Sequence, residues 1–460
     1  MKGMSYMRKY FGTDGIRRIA NTELTPELVY KVAKAGAYVL SKHTDHVPTI
    51  LIGRDTRLSG TLIESAMVAG FLSYGANVKL LGVIPTPAVA YLTRKLKADA
   101  SVVISASHNT FEFNGIKFFS NKGMKIPDSL EEEIEEVMES GKIEELTAVR
   151  DKIGVYENCE DLIDEYVYFF RKNFDTNMDK INKEDFVIGI DTANGATYKV
   201  AEKIFTSLGI RYRIINNNPN GININDKCGS THIEFLQKYV VENKLSMGFA
   251  YDGDGDRCLA VDEKGNLIDG DKIMAIISNY LKEKGKLSKD TIVATVMSNL
   301  GLHKYTEKNG LNLEQTQVGD RYVLEEMLKN KYNLGGEQSG HIILLDYNPT
   351  GDGILTSLML IQAVLESNKK ASELAEIIKL YPQVLVNAKV NSEKKYDYNK
   401  NQEIQKAIKE LEKEFAGNGR ILIRPSGTEP LVRVMIEGEN QQDITKKAKE
   451  MAQLIEKNMM

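Results

Sequence analysis

Three aspartates alternate with glycines in Asp252-Gly253-Asp254-Gly255-Asp256. Glycine lets a short loop turn so that several carboxylates converge on one hard cation, and magnesium is the natural occupant of such an all-oxygen set. The same spacing opens an EF-hand loop, with Glu263 where its twelfth-position glutamate would stand. Arg257 at the sixth position, where that loop needs glycine, and strand-like flanks argue against it. An Asp-x-Asp pair also serves aspartate-nucleophile phosphatases, in which Asp252 would carry the phosphoryl group, although such a loop wants Thr or Val in place of Asp256.

Ser107-His108-Asn109 lacks the G-x-S-x-G elbow of a hydrolase, and no ordered Ser, Asp, His set accompanies it. A serine on an exposed loop facing a metal site could instead accept a phosphoryl group, with the cation neutralising charge on the transferring oxygens. Lys117 supplies a nearby positive charge that could shuttle a proton or hold the phosphoryl group; otherwise it is a surface lysine. In Arg424-Pro425-Ser426-Gly427-Thr428 a rigid proline, an open glycine, two hydroxyls and an arginine make an oxyanion cradle, to which Arg433 adds a second charge. In Glu337-Gln338-Ser339-Gly340-His341 the glutamate and serine suit sugar hydroxyls. His43, His46, His232 and His303 form no recognisable ligand set and are read as structural or exposed.

These clusters need a scaffold. Apolar β-rich runs at 49–52, 77–81 and 101–105 alternate with helical stretches, and the pattern returns at 187–190, 212–215 and 247–251 and again at 292–296, 311–313 and near Leu334. Three related α/β domains with mixed sheets follow, each ending its third strand in one of the polar clusters, where open α/β sheets place their ligands. An acidic segment with Leu130, Ile134, Val137 and Met138 at helical spacing reads as a closing helix whose glutamates face solvent. After Tyr381-Pro382 a strand at 384–390, a helix at 402–414, strands at 420–423 and 431–437 and a helix at 443–457 form a smaller α+β domain. The expected boundaries are 1–160, 161–261, 262–380 and 381–460.

With 460 residues there is material for several cores, and 42% hydrophobic against 27% charged residues excludes a disordered chain. A net charge of −4 offers no excess of base for nucleic acid or an anionic membrane. No apolar run reaches the length of a spanning helix, the start lacks a secretory apolar region, and Cys159, Cys228 and Cys258 form no CxxC pair. A reduced cytoplasm is the expected location.

In this order the four clusters resemble the α-D-phosphohexomutase superfamily, with Ser107-His108-Asn109, Asp252 to Arg257, Gly336 to His341 and Arg424 to Pro430 matching its diagnostic loops. Phe11-Gly12-Thr13-Asp14-Gly15-Ile16-Arg17 and Cys228-Gly229-Ser230-Thr231 bring the likeness closest to its bacterial members that interconvert glucosamine 6-phosphate and glucosamine 1-phosphate. The resemblance implies a heart-shaped, four-domain isomerase around a central cleft, monomeric or homodimeric, working through a phosphoserine at Ser107 and a 1,6-bisphosphate that also serves as activator. It implies that Asp252, Asp254, Asp256 and the Ser107 phosphate bind magnesium. Arg257 and Lys117 would assist proton and phosphoryl transfer, His108 would lie beside the transferred group, and Arg17 would support the phosphoserine. Glu337 and Ser339 would read sugar hydroxyls with His341 near by, while Arg424, Ser426, Gly427 and Thr428 would hold the phosphate that is not reacting. A phosphomannomutase or phosphoglucomutase of the same fold, or a non-catalytic sugar-phosphate binder, are the competing readings. The chain departs from the superfamily pattern at Arg18, for glycine, at Thr110, for proline, and at Phe113, for aspartate.

Overall fold

The computed structural model describes residues 9–460 apart from 13, 179–185, 392–393 and 427–428. Two compact units divide the chain: residues up to 297 together with 312–376, and residues 298–311 together with 377–460. None of the described helices is long and apolar enough to cross a membrane.

The first unit carries three sheets. β1 (Ile16–Ile19), α1 (Pro26–Ser41), β2 (Thr49–Arg54), α2 (Gly60–Tyr74), β3 (Asn77–Val83), α3 (Thr86–Leu96), β4 (Ala100–Ile104), β5 (Phe113–Ser120), α4 (Asp128–Glu139) and β6 (Tyr156–Asn158) form the first, with strand order β1-β5-β4-β2-β3-β6. β2 runs parallel to β3 and β4, and β5 inserts antiparallel between β4 and β1. Every residue of β4 is buried, as expected of a strand covered on both faces. α5 (Ile163–Met178) leads to the second sheet, built from β7 (Val187–Asp191), α6 (Val200–Ser207), β8 (Arg211–Ile215), α7 (Glu234–Glu242), β9 (Met247–Tyr251), β10 (Cys258–Asp262) and β11 (Leu267–Ile268) in the order β11-β10-β9-β7-β8. The third follows α8 (Gly270–Glu283). Its strands are β12 (Thr291–Thr295) and, after α9 (Leu300–Lys308), β13 (Asn312–Thr316), then, after α10 (Asp320–Asn330), β14 (Leu334–Gly336) and β15 (Ile342–Leu344), in the order β13-β12-β14-β15. The largely apolar α11 (Gly353–Ser367) is buried along most of its length, and α12 (Ala371–Ala375) ends the unit.

The acidic helix α4 departs from the sequence expectation. Ile134 and Val137 are buried as the periodicity requires, but so are Glu131 and Glu135. Glu135 accepts the backbone N–H groups of Lys9, Tyr10 and Phe11 at 2.8, 2.7 and 2.7 Å. A carboxylate that collects three donors can be buried at tolerable cost, and here it pins the entry to β1.

In the second unit β16 (Gln383–Lys389), α13 (Gln402–Phe415), β17 (Gly419–Pro425), β18 (Leu431–Gly438) and α14 (Gln441–Met459) form an antiparallel sheet, order β16-β18-β17, over a core that includes Ile404, Val434 and Ile455. α9 belongs to this unit: Leu300 N–H donates to Glu437 Oε2 at 3.1 Å, and Asn299 exchanges two hydrogen bonds of 2.9 Å with the Tyr381 backbone. His303 on α9 accepts from the Arg420 guanidinium at 3.3 Å, and burial first, Arg420 second, push its pKa down to about 4. An unfolded histidine titrates near 6.5, so between those values the unfolded chain binds more protons than the folded one. Stability should therefore fall as pH drops from about 6.5 towards 4, and His303→Gln should remove roughly 1 kcal/mol of that dependence, allowing for the imidazole's partial contact with solvent. Denaturant midpoints of the two proteins across this range check it.

Candidate active site

In the first unit the chemistry sits at the carboxyl ends of parallel strands, where the sequence placed it. Beyond β4, residues 105–109 turn back, and Ser107 takes φ of 50°, a left-handed conformation uncommon outside glycine. Ser107 is 2% exposed, which corrects the expectation of an exposed loop serine. Its backbone N–H donates to Ser105 Oγ at 2.9 Å, and Ser105 Oγ donates to Asp55 Oδ2 at 2.5 Å.

The loop is held by a residue that sequence reasoning passed over. Arg57 is 1% exposed and pairs with Asp55 through Nε at 2.8 Å. Its Nη2 donates to the carbonyls of Ser107 and Asn109 at 2.9 and 2.8 Å, and its Nη1 to those of Thr110 and Phe113. Asn225 Nδ2, from the second sheet's loops, donates to the Ser107 and Asn109 carbonyls again, at 2.8 and 2.9 Å. Thr110 and Phe113 thus serve the clamp through backbone oxygens, so the two departures from the family pattern leave it intact. Arg18, the third, donates to the Lys9 carbonyl at 2.7 Å and lies over the Tyr10 ring.

Ser107 Oγ–H donates to Asp252 Oδ2 at 2.7 Å. Asp252 follows β9 in a loop to β10, and both its glycines are required: a Cβ on Gly253 would stand 2.5 Å from the Ser107 carbonyl oxygen, and Gly255 has φ of 72°. Asp252, Asp254 and Asp256 are buried and offer oxygens within 4.8 Å of one another. Asp254 Oδ1 and Asp256 Oδ1 are buried without a hydrogen-bond partner among the described residues. Orphaned anionic oxygens inside a protein are costly, and an oxygen-only set of this size suits a hard divalent cation. Glu263 is engaged elsewhere, by the backbone N–H and hydroxyl of Ser372, so the EF-hand reading falls away.

Burial raises the Asp252 pKa well above the usual carboxylate range, and Asp256 and Asp254 add to it. Burial also works against ionised Asp256, but Lys117, His341 and Arg257 outweigh it and hold that carboxyl low. Lys117, on β5, is 4% exposed, far from a surface lysine. Its Nζ lies 3.0 Å from Asp14, 3.2 Å from Asp254 and 3.9 Å from Asp256, and against the effect of burial these carboxylates raise its pKa above the ordinary lysine value. Lys117 thus stands as a cation among three carboxylates. Asp14 is desolvated too, yet Lys117, Lys125 and Arg17 keep it well below the ordinary carboxylate range. Arg17 pairs with Asp14 at 2.8 Å and donates to Asn109 Oδ1 at 3.2 Å, beside the serine. His108 Nδ1 is 3.4 Å from Ser107 Oγ, and burial, then Arg257 and Arg17, push its pKa down to about 4, leaving a neutral ring at physiological pH. Arg257 lies 3.9 Å from Asp256 Oδ1 through an Nε that is buried with no hydrogen-bond partner among the described residues.

After β14, Glu337 Oε1 accepts the Gly319 N–H at 3.2 Å, and burial, reinforced by Asp320, raises its pKa. Ser339 is exposed, and Gln338 donates to Asp269, the N-cap of α8, at 3.3 Å. His341 has both ring nitrogens occupied: Nε2 accepts the Gly351 N–H at 3.0 Å, so Nδ1 carries the hydrogen and faces Asp256 at 3.5 Å. It buttresses the aspartate loop.

In the second unit Arg424 and Arg433 are direct cross-strand partners on β17 and β18. Burial and Arg433 lower the Arg424 pKa, and the Nε of each is buried without a hydrogen-bond partner among the described residues. Two adjacent guanidiniums with unused donors make a receptor for an anion. Ser426 donates its N–H to Leu431 O at 2.8 Å and accepts the Glu429 N–H on Oγ at 3.3 Å. Gly427 and Thr428 lie outside the described residues.

Asp55, Arg57, Lys125 and Asn225 were not singled out by the sequence, and Asp14 entered only within the Phe11 to Arg17 stretch. Asp55 and Arg57 follow the carboxyl end of β2, a position that would have marked them.

Family models for the phosphoglucomutase/phosphomannomutase α/β/α domains I, II and III and the C-terminal domain match residues 8–145, 164–265, 269–381 and 385–454. The chain is 55% identical over 450 residues to the phosphoglucosamine mutase of Ruminiclostridium cellulolyticum, covering 98% of this chain and 99% of that one. It is 54% identical over 455 residues to that of Acetivibrio thermocellus, covering 98% and 100%. The crystal structure of Aspergillus fumigatus N-acetylphosphoglucosamine mutase in complex with GlcNAc-6P and magnesium shares the fold, with a TM-score of 0.68, 18% identity and coverage of 99% and 97%. With all four domain models matched in order along its length, the chain belongs to the phosphoglucomutase/phosphomannomutase family, and within it to the phosphoglucosamine mutases.

Proposed function

We propose that the protein interconverts glucosamine 6-phosphate and glucosamine 1-phosphate through a phosphoserine at Ser107 and a 1,6-bisphosphate intermediate. The observation that carries this reading is the buried hydrogen bond from Ser107 Oγ to Asp252, which joins a loop nucleophile to a triad of carboxylates. The relatives' names supply the amino sugar. The fungal relative's magnesium and the orphaned oxygens of Asp254 and Asp256 supply the cation.

Magnesium held by Asp252, Asp254, Asp256 and the serine phosphate would neutralise charge on the transferring oxygens. The P–O bond to Ser107 Oγ breaks as one forms to the free hydroxyl of the sugar, and neutral His108 is the group beside Ser107 able to take the hydroxyl proton. Lys117 and Arg257 balance the phosphoryl charge, and Arg17 orients the loop through Asn109. Glu337 and Ser339 take sugar hydroxyls. Arg424, Arg433 and Ser426, with Gly427 and Thr428, hold the phosphate that is not reacting. The bisphosphate then turns end for end and its other phosphate returns to the serine.

The test is kcat/KM for glucosamine, glucose and mannose 6-phosphates with the bisphosphate activator present. Glucosamine 6-phosphate should be the best substrate. A preference for glucose or mannose 6-phosphate would overturn the assignment; the measurement decides because an amino group at C2 needs only about 1 to 3 kcal/mol of discrimination, too small a change in the pocket to read from sequence.

A further inference from the structure

We propose that Asp320 is the residue that selects an amino sugar, its carboxylate receiving the ammonium group at C2 of a hexosamine phosphate lying against the Glu337 loop. The inference rests on the function proposed above and names the group that would make it specific. Asp320 opens α10, and its neighbour Gly319 donates its N–H to Glu337 Oε1 at 3.2 Å, which ties the start of this helix to the sugar loop. The two lie close enough that the charge of Asp320 is felt by both Glu337 and His341.

Asp320, His341, Lys125 and Ser120 line one cavity of about 340 Å³ in the first unit. Asp320 is half-buried there, and its side chain has no hydrogen-bond or ion-pair partner among the described residues. The cations that could have neutralised it are engaged elsewhere: Arg321 with Asp128 and Glu325, and Lys125 with Asp14 at 3.1 Å. An unpaired carboxylate at the start of a helix, beside a loop suited to hydroxyls, complements a substrate whose one cationic group neighbours its ring hydroxyls. The C2 hydroxyl of a glucose or mannose phosphate, being neutral, gains far less from it.

Asp320→Asn preserves size and removes the charge. With glucosamine 6-phosphate and glucose 6-phosphate assayed in parallel, the ratio of their kcat/KM values should fall by about tenfold or more, chiefly through KM for the amino sugar. Asp320→Glu should recover part of the ratio, and Asp320→Ser gives a second neutral variant for the same measurement. Parallel losses for both substrates would show a structural role and overturn the assignment, as would a ratio left unchanged. If the natural protein shows no preference for glucosamine 6-phosphate, the proposed function falls and takes this assignment with it. A natural preference that survives Asp320→Asn overturns the assignment alone.

Discussion

Ser107→Ala should abolish mutase turnover, by about 10⁴-fold or more, because the phosphoryl group loses the atom that carries it between the two ends of the sugar. The fold should survive. The variant loses the Oγ contacts to Asp252 at 2.7 Å and to His108 at 3.4 Å, a change on the order of 1 kcal/mol. Mass spectrometry of the natural protein should place phosphate on the peptide containing Ser107, stable to the hydroxylamine that cleaves acyl phosphates. A labile adduct on an aspartate, or multiple turnover by Ser107→Ala, would refute the phosphoserine mechanism. The geometry already disfavours Asp252 as nucleophile, since its Oδ2 is occupied by the serine hydroxyl.

Arg57→Leu should damage stability and catalysis together. Removing the guanidinium leaves Asp55 fully buried without its cation, and breaking such a pair costs about 3 to 5 kcal/mol. It also frees the carbonyls of Ser107, Asn109, Thr110 and Phe113, so the serine loses part of the support for its left-handed backbone. A displacement of about 1 Å at a reacting atom can cost 10²-fold, and turnover should fall at least that far. Combining Arg57→Leu with Asp55→Asn separates the two effects: denaturation should recover much of the lost stability, while turnover stays low because the carbonyl clamp is still missing. Equal recovery of both would show that Arg57 acts only by pairing with Asp55.

The strands and the four polar clusters were legible because each is written locally. A run such as Ala100–Ile104 declares itself by β-rich apolar residues, and the Asp252 loop by glycines that the geometry does require. What escaped depends on partners distant in the chain. Arg57 meets Ser107 across 50 positions, and Asn225 meets it across 118, so neither forms a motif with it. Glu135 precedes a glutamate, Glu136, that does face water, and the backbone N–H groups arriving from Lys9 to Phe11 compensate its burial. Lys117 looks like a surface residue until Asp14 and Asp254 close on it. β5 was missed because Asn114, Gly115 and Lys117 interrupt its apolar pattern, yet it is paired on both edges.

The membership of α9 in the second unit bears on the order in which the protein can fold as it is synthesised. Leu300 donates to Glu437, 137 positions later, and the carbonyl of Ser298 is held by Arg420. When the ribosome has made everything through α12, the three sheets of the first unit are complete in sequence, but α9 has yet to meet the residues that cover it. Leu302 and Tyr305 on α9 are buried in the finished fold, within a unit whose strands are synthesised last. Loop closure over such a span is slow compared with local helix formation. The nascent chain therefore passes through a stage in which α9 lacks the partners of its own unit, and such incompletely packed stages are the ones that chaperones bind and that favour aggregation.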